Sequence, residues 1–134
     1  MLTKTLKSLT KTIDINAPAT AVFNFFVNPL NWPQYAVVNL KSVKKSTGGW
    51  YDMTTLQGKG KLKMNADPSK GILDHTWQDP QATWTVPARV VSNGEGATFM
   101  ITFFQPPPMP DEVFNEAMKG MDIELTKLKE ILEK

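Results

Sequence analysis

The stretch that decides the fold is 110–133, PDEVFNEAMKGMDIELTKLKEILE. Its apolar residues recur at spacings of three and four, which predicts a helix of about 36 Å with one apolar face. They are Phe114, Ala117, Met118, Met121, Leu125, Leu128 and Leu132. Asp111 and Glu112 lie in the first turn and lysines lie toward the end, which matches the helix dipole. A face this wide has to be covered by the rest of the chain.

Gly120 interrupts this helix, at a cost of about 1 kcal/mol relative to alanine. Two explanations are open at this point. Glycine either permits the close approach of a neighbouring strand or leaves room for a ligand.

Three short segments open the chain. Residues 9–15 alternate between apolar and polar side chains, which predicts a strand. Asn16 and Pro18 end that strand and suit the start of a helix, so 19–27 is predicted as a short helix. The two prolines of 28–35 limit that segment to a turn or two of helix.

Six β-like runs lie between these segments and the long helix. Turn residues such as Gly48-Gly49 and Asn93-Gly94 separate them, and short connections favour antiparallel hairpins. The runs are 37–45, 50–56, 60–66, 72–78, 83–91 and 97–105.

The composition is that of an ordinary globular chain, with 134 residues of which 41% are hydrophobic and 21% charged, and we expect one domain over 1–134. Net charge is only +2 and the basic residues are spread out, so no nucleic-acid partner is expected. There is no cysteine, which excludes disulfides and thiolate chemistry. No apolar run approaches the roughly 18 residues of a membrane span, and 1–9 lacks the apolar core of a secretory signal. A cytoplasmic location is therefore expected.

The segments 13–18 (IDINAP), 22–26 (VFNFF) and 28–33 (NPLNWP) together resemble the opening of the SRPBCC superfamily. They match its first strand, its Ala-Pro turn, its first helix and its tryptophan-bearing second helix. This superfamily includes START-like lipid-transfer domains, the Bet v 1-like pollen allergens, polyketide cyclases and dehydratases, and plant abscisic-acid receptors. Residues 84–106 are most similar to uncharacterised bacterial members.

The resemblance implies an α+β helix-grip fold of order β-α-α-β6-α, in which a seven-stranded curved antiparallel sheet wraps around the long C-terminal helix. It also implies an apolar cavity between the sheet and that helix. Because one fold hosts many functions, three remain open. The chain binds a small hydrophobic or amphipathic ligand, lipid-like or aromatic; it is a cofactor-independent polyketide cyclase or dehydratase; or it is a protein-interaction domain like the chaperone-activator branch.

His75 is the only histidine, and alternation places it on the apolar face of its strand with Leu73 and Trp77. In the cyclase hypothesis it is the catalytic acid or base. The structural alternative is a buried neutral imidazole bonded to a carbonyl or hydroxyl group.

Arg89 also has two interpretations. If Val86, Ala88 and Val90 face the core, Arg89 is solvated. If Pro87 introduces a bulge, Arg89 instead enters the cavity and holds a ligand carboxylate or phosphate.

The expected ligand-binding residues combine side chains of neighbouring strands with the apolar helix face. They are Trp77, Trp84, Arg89, Phe99, Ile101, Phe103, Phe114, Met118 and Met121. Trp77 and Trp84 lie on successive strands and can stack on a planar ligand. The last strand is apolar on both sides, so we expect a loop, a short helix or the second subunit of a homodimer to cover one of them.

Other features of the sequence restrict the classes of ligand and cofactor that we expect. Lysines at 59, 61 and 63 share one strand face, which predicts a solvated surface rather than an anion-binding stripe. The sequence has no glycine-rich phosphate loop, no histidine–carboxylate cluster and no nucleophile elbow. We therefore expect no metal and no cofactor.

Overall fold

The computed structural model describes residues 4–134, so residues 1–3 of the stretch 1–9 considered above lie outside it. Two helices flank the strands, and two 3-10 helices, Pro29–Gln34 and Pro68–Lys70, lie in the connections. In chain order the elements are β1 (Ser8–Ile15), α1 (Ala19–Phe26), β2 (Leu40–Lys45), β3 (Trp50–Thr55), β4 (Gly58–Met64), β5 (His75–Gln78), β6 (Thr83–Val86), β7 (Ala88–Asn93), β8 (Gly96–Phe104) and α2 (Asp111–Leu132).

All strand pairs are antiparallel, as the short connections predicted. One sheet has the order β1-β8-β7 and the other the order β2-β3-β4-β5-β6. Hydrogen bonds join the two where β6 passes into β7. The carbonyl of Pro87 accepts the N–H of Thr102 at 2.9 Å, and the carbonyl of Ala88 accepts the N–H of Leu73 at 2.9 Å. The strands thus form a curved antiparallel surface, as a helix-grip fold requires.

The strand count differs from the sequence-based expectation. The run 83–91 was predicted as one strand, but Pro87 divides it into β6 and β7, so the described residues contain eight strands rather than seven. Proline has no N–H to donate and has a restricted φ, which interrupts the hydrogen-bonded ladder.

Two other strands also begin at residues that differ from the prediction. The strand predicted over 37–45 begins only at Leu40, because residues 35–39 form a turn in which Leu40 donates to the carbonyl of Ala36 at 3.1 Å. The strand predicted over 72–78 is observed only over His75–Gln78, as β5. Ile72 lies outside it and forms two isolated bridges, to Asp67 and to Arg89. The long helix, predicted over 110–133, is observed at Asp111–Leu132.

Between residues 4 and 134, neither helix is both long and apolar enough to span a membrane.

The segment that follows α1 is held by local hydrogen bonds. The side chain of Asn28 accepts the N–H of Leu30 at 3.1 Å and caps the first 3-10 helix. The indole N–H of Trp32 donates to the carbonyl of Phe26 at 2.8 Å. These contacts fold the segment back so that the aromatic side chains of both helices enter the core.

Candidate functional site

The predicted apolar face of α2 is covered. Its buried residues are Phe114, Met118, Gly120, Met121, Glu124, Leu125 and Leu128. Met121, Leu125 and Leu128 belong to the main hydrophobic core, together with side chains of α1 and of both sheets. The helix therefore docks on the sheet, as the periodicity predicted.

Aromatic rings from three elements pack around His75. The ring centroid of Phe26 lies 4.8 Å from that of Phe99 and 4.7 Å from that of Trp32. The His75 ring lies 5.2 Å from Trp32 and 5.9 Å from Phe26. All four side chains are buried, so this part of the core is closed to solvent.

His75 is held as a neutral imidazole. Its Nδ1 atom lies 3.0 Å from the carbonyl oxygen of Leu73. Because a carbonyl only accepts, Nδ1 carries the proton. Burial lowers the pKa of His75 to about 4, although the bond to Leu73 and the carboxylate of Asp74 act in the opposite direction. This is the arrangement described by the structural alternative, and the catalytic role of His75 stays a prediction.

Trp77 and Trp84, the tryptophan pair, lie directly opposite each other on β5 and β6. They share a strand face with His75 and Val86, which are both buried and also pair across the two strands. Each indole is itself only half-buried and packs against the core. The pair is thus an apolar surface on the inner face of the sheet that solvent still reaches.

The indole of Trp77 is fixed from two sides. Its Nε1–H donates to the carboxylate of Asp79 at 2.9 Å. Its six-membered ring lies over Gly60 of β4, where a Cβ atom would be only 2.3 Å from Cζ2 of Trp77. Gly60 therefore provides the space that the Trp77 ring occupies.

The predicted lining residues of β8 differ in exposure. Phe99 and Ile101 are buried in the core, whereas Phe103 is half-buried at its edge. On the opposite face of β8, Met100 and Phe104 are also half-buried. The three helix residues of the predicted lining, Phe114, Met118 and Met121, are all buried.

Arg89 does not enter the space beneath α2. Val86, Ala88 and Val90 are all buried, so the alternation continues through Pro87 without a change of phase. Arg89 consequently points away from the core and is exposed, and its Nε–H donates to the carbonyl of Lys70 at 3.3 Å. Its proposed place in the cavity is corrected to the outer face of the sheet.

Glu124 was missed at the sequence level, although it is buried on the same face of α2 as Met121 and Leu128. Its Oε2 atom accepts the backbone N–H groups of Val38 at 3.0 Å and Asn39 at 2.8 Å. Burial raises the pKa of Glu124, while these two hydrogen bonds lower it. Its signal in the sequence was a carboxylate at a position where the helical period expects an apolar residue.

Gly120 and Tyr35 lie in the same region, where α2 packs against the turn before β2. A Cβ atom at Gly120 would lie 2.9 Å from Cγ1 of Val38, so the glycine serves the close approach of the turn before β2. Tyr35 is buried, and burial followed by the nearby carboxylate of Glu124 raises the pKa of its hydroxyl well above the usual range. Of the two explanations for Gly120, the structure shows close approach.

The two best-defined clefts of the described residues both open at the surface. One has a volume of about 320 Å³ and lies among α1, the Pro68–Lys70 turn and β7. The other, of about 390 Å³, lies along α2 beside Val37 and Ile123. Neither lies beneath the tryptophan pair, where the ring of Trp77 fills the space above Gly60.

No protein-family model matches this sequence, and no curated protein is similar to it at the sequence level. Solved structures do match over almost the whole chain. An uncharacterised protein from Bacillus thuringiensis superposes with a TM-score of 0.75 at 12% identity, covering 96% of this chain and 100% of its own. The Aha1 dimer from Colwellia psychrerythraea gives 0.74 at 11% identity, with coverages of 96% and 97%.

A third match is Ara h 8.0201, with a TM-score of 0.67 at 14% identity and coverages of 95% and 97%. The chain therefore has a Bet v 1-like, helix-grip fold, which is the fold that the resemblance implied. At these identities the matches establish the fold, and the function has to be argued from the site.

Proposed function

We propose that this protein binds a small hydrophobic or amphipathic molecule between the sheet and α2. The observation that carries the proposal is the tryptophan pair, two indoles opposite each other on the inner face of the sheet and only half-buried. Large aromatic surfaces in contact with both core and solvent are typical of the walls of small-molecule sites.

Room for the ligand comes from side chains that move. Trp77 rests on a glycine and is held by one hydrogen bond to Asp79, so its ring can swing away from β4 without breaking the strand. Met121 of α2 belongs to the hydrophobic core against which the tryptophan pair packs, and methionine side chains adapt readily to a ligand of irregular shape. Burial of apolar ligand surface supplies about 25 cal/mol per Å².

The test compares Trp84→Ala with Trp50→Ala. Trp50 is also half-buried, but it pairs with Lys63 on the opposite face of the sheet, where the lysine ammonium lies 5.8 Å from its ring centroid. Titration calorimetry with lauric acid should show saturable binding that is at least tenfold weaker in Trp84→Ala and unchanged in Trp50→Ala. Absence of saturable binding to the wild type, or equal loss in both variants, contradicts the proposal.

The cyclase or dehydratase alternative stays a prediction. It depends on His75, whose ring is enclosed by aromatic side chains and bonded to Leu73. A general acid or base has to reach the proton that it transfers. Ligand binding without catalysis is therefore the function that this arrangement favours.

A second candidate is association with another copy of this chain along α2. Ile123 and Val37 are 57% and 54% exposed beside the open cleft on this helix. The first turn of α2 carries Asp111 and Glu112 and its last turn carries Lys129, so antiparallel pairing of two α2 helices would bring unlike charges together.

Sedimentation velocity over a range of concentrations tests this candidate. Ile123→Lys should shift the protein to monomer, whereas Leu56→Lys, at an equally exposed site between β3 and β4, should leave association unchanged. A wild type that stays monomeric at all concentrations contradicts self-association.

A further inference from the structure

The imidazole of His75 has two ring nitrogens, and only one of them has a hydrogen-bond partner among residues 4–134. Nδ1 lies 3.0 Å from the carbonyl oxygen of Leu73, so Nδ1 carries the proton of the neutral ring. Nε2 then has a lone pair and can only accept a hydrogen bond. The ring thus offers one acceptor that no donor of the described residues uses.

The side chains around His75 do not cover this acceptor completely. Only 4% of the residue surface is exposed, so almost all of it is covered. Between residues 4 and 134, however, every side-chain nitrogen or oxygen atom that is fully shielded from water has a hydrogen-bond partner. Because Nε2 has none, it is not one of the fully shielded atoms. Nε2 therefore borders a space inside the core that is large enough for a water molecule.

Nε2 lies on the inner face of the sheet, close to the tryptophan pair. His75 and Trp77 are two residues apart on the same face of β5, so their Cα atoms are about 7 Å apart. The cross-strand pair of His75 and Val86 is the next one along the strands from the pair of Trp77 and Trp84. Nε2 belongs to the end of the ring that is farther from the strand backbone. The unused acceptor therefore faces the interior in which the ligand is proposed to bind.

The carboxylates near the imidazole cannot be its missing partner. The carboxylate of Asp74 accepts the backbone N–H of Ala88 at 2.9 Å. Glu124 accepts two backbone N–H groups of the turn before β2, and Asp79 accepts the indole N–H of Trp77. An ionised carboxylate has no proton to donate, so it cannot pair with a second acceptor. The group that meets Nε2 has to be a donor.

We propose that Nε2 of His75 accepts a hydrogen bond from a hydroxyl or N–H group of the ligand, and that the ligand is a hydrophobic alcohol or phenol, or an N–H analogue of these. This inference rests on the proposed function and specifies the class of its ligand. A buried acceptor favours a ligand that completes its hydrogen bond over one that leaves it unpaired. The carboxylate of a fatty acid has no proton to donate, so its head group would stay toward solvent in the same site. The imidazole orients the ligand, and the donor keeps its proton.

Titration calorimetry with 2-naphthol and with its methyl ether tests the proposal, because both carry the same flat ring system and only the naphthol can donate. The wild type should bind 2-naphthol about tenfold more tightly, as expected for one neutral hydrogen bond. His75→Phe keeps an aromatic ring but removes the acceptor. This variant should bind the two ligands with equal affinity.

Tyr35 provides the matched control. It is also buried, and its ring also packs against those of Phe26 and Trp32. Tyr35→Phe removes one buried hydroxyl group and should leave the tenfold preference unchanged. A preference that is lost in Tyr35→Phe and kept in His75→Phe would overturn the assignment to His75.

A second measurement needs no substitution and so does not depend on the folding of a variant. His75 is the only histidine, so its imidazole nitrogen resonances are assigned directly. Binding of 2-naphthol to the wild type should shift the Nε2 resonance upfield while Nδ1 stays protonated, and the methyl ether should not.

The outcomes separate this inference from the proposed function. If the wild type binds both ligands saturably and with equal affinity, or if 2-naphthol leaves the Nε2 resonance unchanged, the role of His75 is overturned and the proposed function stands. Equal affinity is the result expected if Nε2 only holds a buried water molecule. If neither ligand nor lauric acid binds saturably, both proposals are overturned.

Discussion

The Oε2 atom of Glu124, in the middle of α2, accepts the backbone N–H of Asn39 at 2.8 Å, across 85 positions of the chain. The same oxygen accepts the N–H of Val38, so one buried carboxylate satisfies two donors of the turn that leads into β2. This contact joins the helix to the five-stranded sheet. It combines with the close approach of Gly120 to Val38 in positioning α2.

Replacing Glu124 should destabilise the protein because two partly buried N–H groups lose their acceptor. We expect Glu124→Ala to lower the free energy of unfolding by about 2 kcal/mol. Glu124→Gln should cost less, since its amide oxygen still accepts. Urea unfolding measures both. Glu116→Ala, at an exposed position of the same helix, is the control and should change stability by less than about 0.5 kcal/mol. Equal effects at the two positions would argue against a bond between α2 and the turn.

Gly120 and Val38 should show coupled stabilities. Alanine at 120 gains about 1 kcal/mol of helix propensity. Its Cβ atom would lie 2.9 Å from Cγ1 of Val38, so most of that gain should be lost to the contact. In a Val38→Ala background the contact is relieved and the gain should appear. A double-mutant cycle on thermal or urea unfolding measures the coupling, and additive effects would contradict the close approach.

His75 should make the protein sensitive to acid. Its pKa is about 4 in the folded protein and near 6.5 in the unfolded chain, so the unfolded state binds the proton more tightly. The stabilising contribution is therefore complete above pH 6.5 and is lost as the pH falls toward 4. The difference in pKa corresponds to about 3 kcal/mol.

Urea unfolding between pH 7 and pH 4 tests this prediction against His75→Phe, which keeps an aromatic ring among Phe26 and Trp32 but cannot titrate. Wild type should lose about 3 kcal/mol more than the variant over this range. Because His75 is the only histidine, its imidazole resonances also report the pKa directly. The prediction would be contradicted if the free energies of unfolding of wild type and His75→Phe changed in parallel with pH, or if the pKa of His75 were near 6.5.

Gly60→Ala should displace the indole of Trp77. The new Cβ atom would lie 2.3 Å from Cζ2 of that ring, so the ring must move. We expect a loss of about 2 kcal/mol in stability and a red shift in tryptophan fluorescence as Trp77 enters solvent. In a Trp77→Ala background the same substitution should cost almost nothing. If the new Cβ atom clashed with backbone atoms instead, Gly60→Ala would lower the stability of Trp77→Ala as much as that of the wild type, and this would contradict the prediction.

Much of the fold could be predicted from local pattern. The three- and four-residue spacing in 110–133 and the alternation in 9–15 each repeat over several turns or pleats, so both elements were predicted close to their observed bounds. The exposed face of Lys59 and Lys61 followed from the same alternation. The division of 83–91 was not predicted, because Pro87 was considered only as a bulge that changes phase.

The candidate site was less predictable. Alternation placed His75 and the tryptophan pair on the inner face, and the structure agrees. It did not reveal that Glu124 contacts Asn39, or that Arg89 lies beside Lys70, because each pair joins segments that are distant in the chain. Burial within an element follows from its period, whereas contacts between elements depend on how they pack.

By itself, the sequence determined the order of helices and strands, the apolar faces of α2 and of the strands, and the resemblance to one fold class, since these depend on neighbouring residues alone. The tertiary structure decided that His75 is neutral, that the Trp77 ring occupies the space above Gly60, and that Glu124 accepts two backbone N–H groups of the turn before β2. Each of these depends on desolvation and on distances of a few ångströms between segments that are far apart along the chain, and no local pattern encodes such distances.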